Sequence, residues 1–153
     1  MLTIRAYVED DFPALCVIFL RAVRETASQD YLPAQIAAWA QVDESRWRRK
    51  IANSQVLVAV VDNQPVGFIT AISDYIDLFF VSPDYARRGI GRALLEALCA
   101  SHPGKVLTVD ASITAKPSFI LQGFRVVSEQ RVEVRGEWFT NYRMEKRGSG
   151  KVE

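Results

Sequence analysis

The stretch from Tyr75 to Leu95 limits the fold of this chain more than any other. Tyr75-Ile76-Asp77-Leu78-Phe79-Phe80-Val81 reads as a largely apolar strand, and Ser82-Pro83-Asp84 breaks it. Arg87-Arg88-Gly89-Ile90-Gly91-Arg92 then opens a helix in which Ile90, Ala93, Leu94, Ala97 and Leu98 recur at three- and four-residue steps. Such a helix has one apolar face and must bury it, and the sheet that holds the strand is the nearest surface for it.

The flanking segments supply the rest of that sheet. Leu2 to Val8 alternates as a first strand. Glu9-Asp10-Asp11 favours a helix start, and Leu15, Ile18, Phe19, Ala22, Val23 and Thr26 predict one long amphipathic helix. Ser28 to Val42 is a weaker helical stretch, and Glu44 to Ala52 is a short helix with a basic face. The β-branched run Val56 to Val61, the turn residues Asp62-Asn63-Gln64-Pro65 and the return Val66 to Ile72 predict a hairpin. Lys105 to Ala111 is a fifth strand, Lys116 to Gln122 a short helix, and Phe124 to Val134 with Glu137 to Glu145 a closing antiparallel pair. The order predicts an α+β fold: a mixed, mostly antiparallel sheet of about seven strands with helices on both faces.

Composition narrows the function classes. With 153 residues the chain is expected to be one domain, residues 1–146, with a polar tail over 147–153. A net charge of +1 gives no pull toward nucleic acid or an anionic membrane, and no apolar run is long enough to span one. Cys16 and Cys99 fall on apolar helix positions as small core filler, which suits a reducing, cytoplasmic setting. The N-terminus lacks a signal-peptide apolar run. His102 is the sole histidine, so a histidine-rich metal site is excluded and no metal is expected.

The chemistry concentrates at Arg87 to Arg92. The first turn of a helix carries unpaired amides and a partial positive charge, and glycine lets a ligand approach the backbone closely. Gly89 and Gly91 at that turn, with Arg87, Arg88 and Arg92 beside it, predict a phosphate or pyrophosphate site. A P-loop is excluded because no Gly-Lys-Ser/Thr follows. A dinucleotide fingerprint would need a third glycine where Leu94 stands, although Asp110 sits near the spacing of a ribose-binding acid.

This segment resembles the signature of the GNAT superfamily of N-acetyltransferases, Gln/Arg-x-x-Gly-x-Gly/Ala opening a helix after the fourth strand. Gly89 and Gly91 match the small positions, and Ala86 stands where the first polar residue is usual. Phe79-Phe80-Val81 resembles the strand end that pairs with the pantetheine arm, and Ala115 to Phe124, closing on Gly123-Phe124, resembles the second family motif. The resemblance implies a sheet splayed between strands 4 and 5 and acetyl-CoA as co-substrate, held by Phe79, Phe80, Val81, Arg87, Arg88, Gly89, Ile90, Gly91, Arg92 and Phe119. It implies direct attack of a neutral amine of a small molecule or peptide on the thioester. Asp77 is the candidate base, placed by strand alternation on the face of Phe79 and Val81 unless a bulge intervenes; Asp74 reads as a turn residue. Phe119 stands where many members carry a tyrosine acid, so the acid role passes to Tyr142 or to solvent. Tyr31 and Trp138 are the candidate acceptor-pocket residues, with Trp39 and Trp47 assigned to the core. A homodimer is a further assembly to test. Two rival functions stay open: a non-catalytic acyl-CoA-binding sensor and a dinucleotide-binding module.

Overall fold

The computed structural model describes residues 1–147, so residues 148–153 of the expected tail lie outside it. Seven strands form one sheet in the order β1-β2-β3-β4-β5-β7-β6. They are β1 (Leu2–Ala6), β2 (Gln55–Val61), β3 (Gln64–Ile72), β4 (Tyr75–Val81), β5 (Val106–Ser112), β6 (Arg125–Val134) and β7 (Glu137–Arg147). Every neighbouring pair is antiparallel except β4 and β5, which run parallel. Two tight turns fix the hairpin registers. Asp62 and Asn63 (φ 51° and 66°) join β2 to β3, and Arg135 and Gly136 (φ 48° and 85°) join β6 to β7. Left-handed backbone at both central residues matches the twist of the strands it connects.

Helices cover both faces. On one, α4 (Ile90–Ala100) buries Ile90, Leu94, Leu95 and Leu98 against Ile69, Val66, Leu107 and Met144, and α5 (Lys116–Leu121) adds Phe119. On the other, α1 (Phe12–Arg21) and α3 (Glu44–Ala52) bury Leu15, Phe19, Trp47 and Ile51 against Val58, Val60 and Phe68. The short α2 (Pro33–Trp39) sits over the β6–β7 hairpin, where Tyr31, Ala38 and Phe139 form a third, smaller core.

Three local expectations are corrected. The long helix after β1 stops at Arg21 and widens into a π-type turn over Ala22–Thr26, a feature that often marks a functional site. β1 ends at Ala6 because Val8 already donates its amide to the Asp11 carboxylate at 2.9 Å, and Arg5 holds that carboxylate at 2.8 Å. β7 runs on to Arg147, opposite Val106.

The feature that positions the site is the junction of β4 and β5. The two strands pair only at Tyr75 with Thr108 and Ile76 with Val109, and then separate. The β3–β4 register shifts between Thr70 and Ala71, leaving Asp77 as the extra, bulged residue. The buried Thr70 hydroxyl stabilises the bulge by accepting the Leu78 amide at 3.0 Å.

Candidate active site

Two clefts meet where β4 and β5 part. The first, about 470 Å³, lies against the start of α4 and is lined by Phe79, Val81, Arg87, Gly89, Gly91 and Arg92 and by the π-type turn. Within it none of the backbone amides from Arg87 to Arg92 donates to another backbone acceptor among the described residues; the first helical bond is from the Ala93 amide to Gly89 O. Arg87 (φ 61°) and Gly89 (φ 79°) are both left-handed and flank Arg88. Turns of alternating handedness aim successive amides into one concavity, the geometry of an anion nest. A side-chain carbon built on Gly89 would meet nothing within 4 Å, so the space above this turn is open. One built on Gly91 would come within 3.1 Å of the Phe79 ring, so a side chain there requires that ring to give by a few tenths of an ångström.

The arginines divide their duties. Arg87 lines the cleft and has no ion pair among the described residues. Arg88 stacks its guanidinium over Tyr85 at 4.9 Å, and Arg92 lines the cleft while pairing with Glu96 at 3.0 Å. Arg21 bridges Glu25 and Asp84 at 2.7 and 2.8 Å, tying the turn after α1 to the loop that leads into the nest.

The second cleft, about 210 Å³, occupies the gap between the strands. Its polar groups are Asp77, Asp110, Ser112 and Asn141, and Tyr31, Trp39, Phe80 and Phe139 form an aromatic wall. The bulge changes which way Asp77 points. Ile76, rather than Asp77, joins Phe79 and Val81 on the α4 face, and Asp77 turns toward α3. The face expected from simple alternation is therefore corrected. Lys50 Nζ of α3 stands 3.2 Å from Asp77 Oδ2, near enough to pair electrostatically, yet that buried oxygen accepts no aligned hydrogen bond. A buried carboxylate oxygen left short of donors is costly, which is a reason to look for a ligand at it.

Phe119 is buried and packs edge-on against Phe79 and Phe124, so it forms the floor of the gap. Phe80 lines both clefts. Tyr31 lines the second cleft with its ring, but its hydroxyl is fully committed. It donates to Thr140 O and accepts the Ile113 amide, each at 2.8 Å, and burial pushes its phenol pKa up. Trp138 is corrected: it is 52% exposed and stacks with Arg131 outside both clefts, and Phe139 takes the inward position. Adjacent strand residues face opposite ways, and sequence alone did not say which of the two faced in. Tyr142 is corrected likewise, since it packs beside the α4-face core with Lys116 Nζ 4.0 Å above its ring and lines neither cleft. Asp74 is a turn residue whose carbonyl accepts the Thr108 amide.

Asp110, at the spacing of a ribose-binding acid, is engaged by donors of this chain. It receives Arg143 at 2.7 Å, the Tyr75 hydroxyl at 2.9 Å and Gln130 at 3.0 Å. Burial raises its pKa, but these donors outweigh it and hold the carboxyl below the usual range. The same burial, with the bond to Asp110, pushes the Tyr75 phenol well above its usual range. Among the described residues no group of three metal-ligating side chains comes together, and no helix is long and apolar enough to cross a membrane.

Tyr31→Phe is expected to destabilise the protein by about 1–3 kcal/mol, because it orphans a carbonyl and an amide in a part-buried setting. Chemical denaturation of the variant checks this; an unchanged midpoint would mean that solvent satisfies both groups.

The family model described as an acetyltransferase (GNAT) domain matches residues 27–146. The protein named Uncharacterized N-acetyltransferase YafP, from Escherichia coli K12, is 60% identical over 141 residues, covering 92% of this chain and 93% of its own. Peptidyl-lysine N-acetyltransferase YjaB from Salmonella typhimurium LT2 is 28% identical, covering 90% and 92%. The crystal structure of a GCN5-related N-acetyltransferase from Rhodopseudomonas palustris superposes with a TM-score of 0.88 at 32% identity, covering 95% of this chain and 94% of that one.

Proposed function

The chain belongs to the GNAT family of acetyltransferases, and on that premise we propose that it moves an acetyl group from acetyl-CoA to a primary amine of a small molecule or peptide. The single observation that carries this reading is the run of open amides from Arg87 to Arg92 beside a gap in the sheet.

The residues present fit the co-substrate. The nest and Arg87 offer donors and charge to a pyrophosphate, with Gly89 leaving the room it needs. The edge of β4 from Asp77 to Val81 has no β5 partner, so an extended pantetheine arm can add to it as a strand does. Acetyl-CoA supplies the activated thioester. The chain's own contribution is placement. Phe79 and Phe119 floor the gap, and the aromatic wall excludes water from the acceptor side. Asp77 stands at the rim of the same gap and takes the proton of the arriving amine, directly or through water. With Phe119 lacking a proton and Tyr142 outside the clefts, the departing thiolate draws its proton from solvent, which a thiolate leaving group tolerates.

Calorimetric titration tests the binding half of the reading. Acetyl-CoA is expected to bind and NAD to leave no signal; the reverse would favour a dinucleotide module. Affinity for acetyl-CoA is also expected to fall as salt rises, since the exposed cations at the nest are screened over ~10 Å at 0.1 M. Arg87→Ala is expected to flatten that dependence, and a salt-independent dissociation constant in the parent protein would contradict the role given to charge.

A further inference from the structure

We infer that Trp39 is the specificity-determining residue for the acceptor, admitting slender, unbranched primary amines and rejecting those branched or bulky beside the amine. This rests on the transfer reading above and goes beyond it by naming the acceptor class. Trp39 is the last residue of α2, and among the described residues it alone lines three spaces at once: the nest cleft, the gap between β4 and β5, and a third groove under α3. That groove is bounded by Trp47, Lys50, Leu78 and the β6–β7 turn, and it shares Trp39, Leu78 and Val134 with the gap. The groove adjoins the gap at Trp39, Leu78 and Val134, so an amine that enters from the groove passes beside the indole before it reaches the gap.

The indole is braced. Tyr31 stands 5.6 Å from it and Phe139 6.0 Å, both edge-on, with Phe80 at 6.3 Å. Of these neighbours, Tyr31 is locked through both functions of its hydroxyl, and Phe80 and Phe139 are set in strands. The helix that carries Trp39 is tied to the β6–β7 hairpin from two sides. Gln35 Nε2 donates to Trp138 O at 2.6 Å, and Arg135 donates to Ala38 O at 2.7 Å. A bulky ring on a pinned helix cannot swing aside without breaking these contacts, so the passage has a fixed cross-section. Fixed walls discriminate by size and shape, and one methylene in such a place is worth roughly 10–200-fold in kcat/KM.

The test is a panel of primary amines graded in width beside the nitrogen, from straight-chain alkylamines to α-branched and ring-bearing ones, measured with acetyl-CoA on the parent protein, Trp39→Phe and Trp39→Ala. The parent is expected to prefer straight chains. Trp39→Ala is expected to shift the ratio of kcat/KM for wide over slender amines upward by roughly tenfold or more, with Trp39→Phe between the two. The KM for acetyl-CoA and the thermal midpoint identify a variant that has merely lost its fold, and in that case Trp39→Phe carries the test. A variant that lowers all amines by one common factor would overturn the inference while leaving the transfer reading intact. A parent protein that acetylates no amine would overturn the transfer reading, and the inference with it.

Discussion

Gly89→Glu is expected to abolish acetyl-CoA binding and leave the domain folded. The residue sits at φ 79°, where an L side chain costs about 1–2 kcal/mol, a fraction of the 5–15 kcal/mol that holds a typical domain together. The added carbon meets no protein atom within 4 Å, so no packing is lost. What the substitution adds is bulk and a negative charge over the amides of Arg88 to Arg92, the place assigned to the pyrophosphate. Gly91 would be a poorer test. A side chain there crowds the Phe79 ring, and a loss of binding could be read as a change in packing. Calorimetry on folded Gly89→Glu decides the matter; unchanged affinity would remove the nest from the account.

Asp77→Asn is expected to lower turnover by roughly 10²–10⁴-fold while acetyl-CoA affinity hardly moves. The amide keeps the shape of the carboxylate and removes its basicity. Asp77 Oδ2 is buried at the rim of the gap, with Lys50 as its one close cation and no aligned donor. A carboxylate whose purpose was structural would be expected to collect donors, as Asp110 does from Arg143, Tyr75 and Gln130. Asparagine at 77 also loses the attraction to Lys50, so stability is to be measured beside the rate. A variant that is less stable yet keeps its rate per folded molecule would assign Asp77 to structure.

The strand order of local elements and the place of the nest were legible in the sequence because both depend on local signals. Alternation, turn residues at Asp62-Asn63, and two glycines ahead of a striped helix act within a few residues. The sites that failed to read correctly depend on register and on long-range pairing. One bulged residue, Asp77, reversed the face of the acid end of β4, and nothing in Ile76-Asp77-Leu78 announces a bulge that Thr70 of the neighbouring strand stabilises. The choice between Trp138 and Phe139 turned on which side of β7 meets α2, a question of packing. Tyr142 is a candidate acid by residue type, but its pairing with Ala111 puts it on the α4 face. Trp39 reads as core from its composition alone, and its position among three clefts appears only once α2 is docked on the hairpin.

The central claim is that acetyl transfer occurs in one direct step to an amine held at the splay. Mixing the protein with acetyl-CoA, with and without a panel of primary amines, and following free coenzyme A thiol and product mass tests it most directly. The account predicts thiol release that requires an amine and matches, one for one, the amine acetylated. Binding of acetyl-CoA without amine-dependent release would make the protein a sensor, and release without amine, leaving the acetyl group on the protein, would replace direct attack with a covalent route.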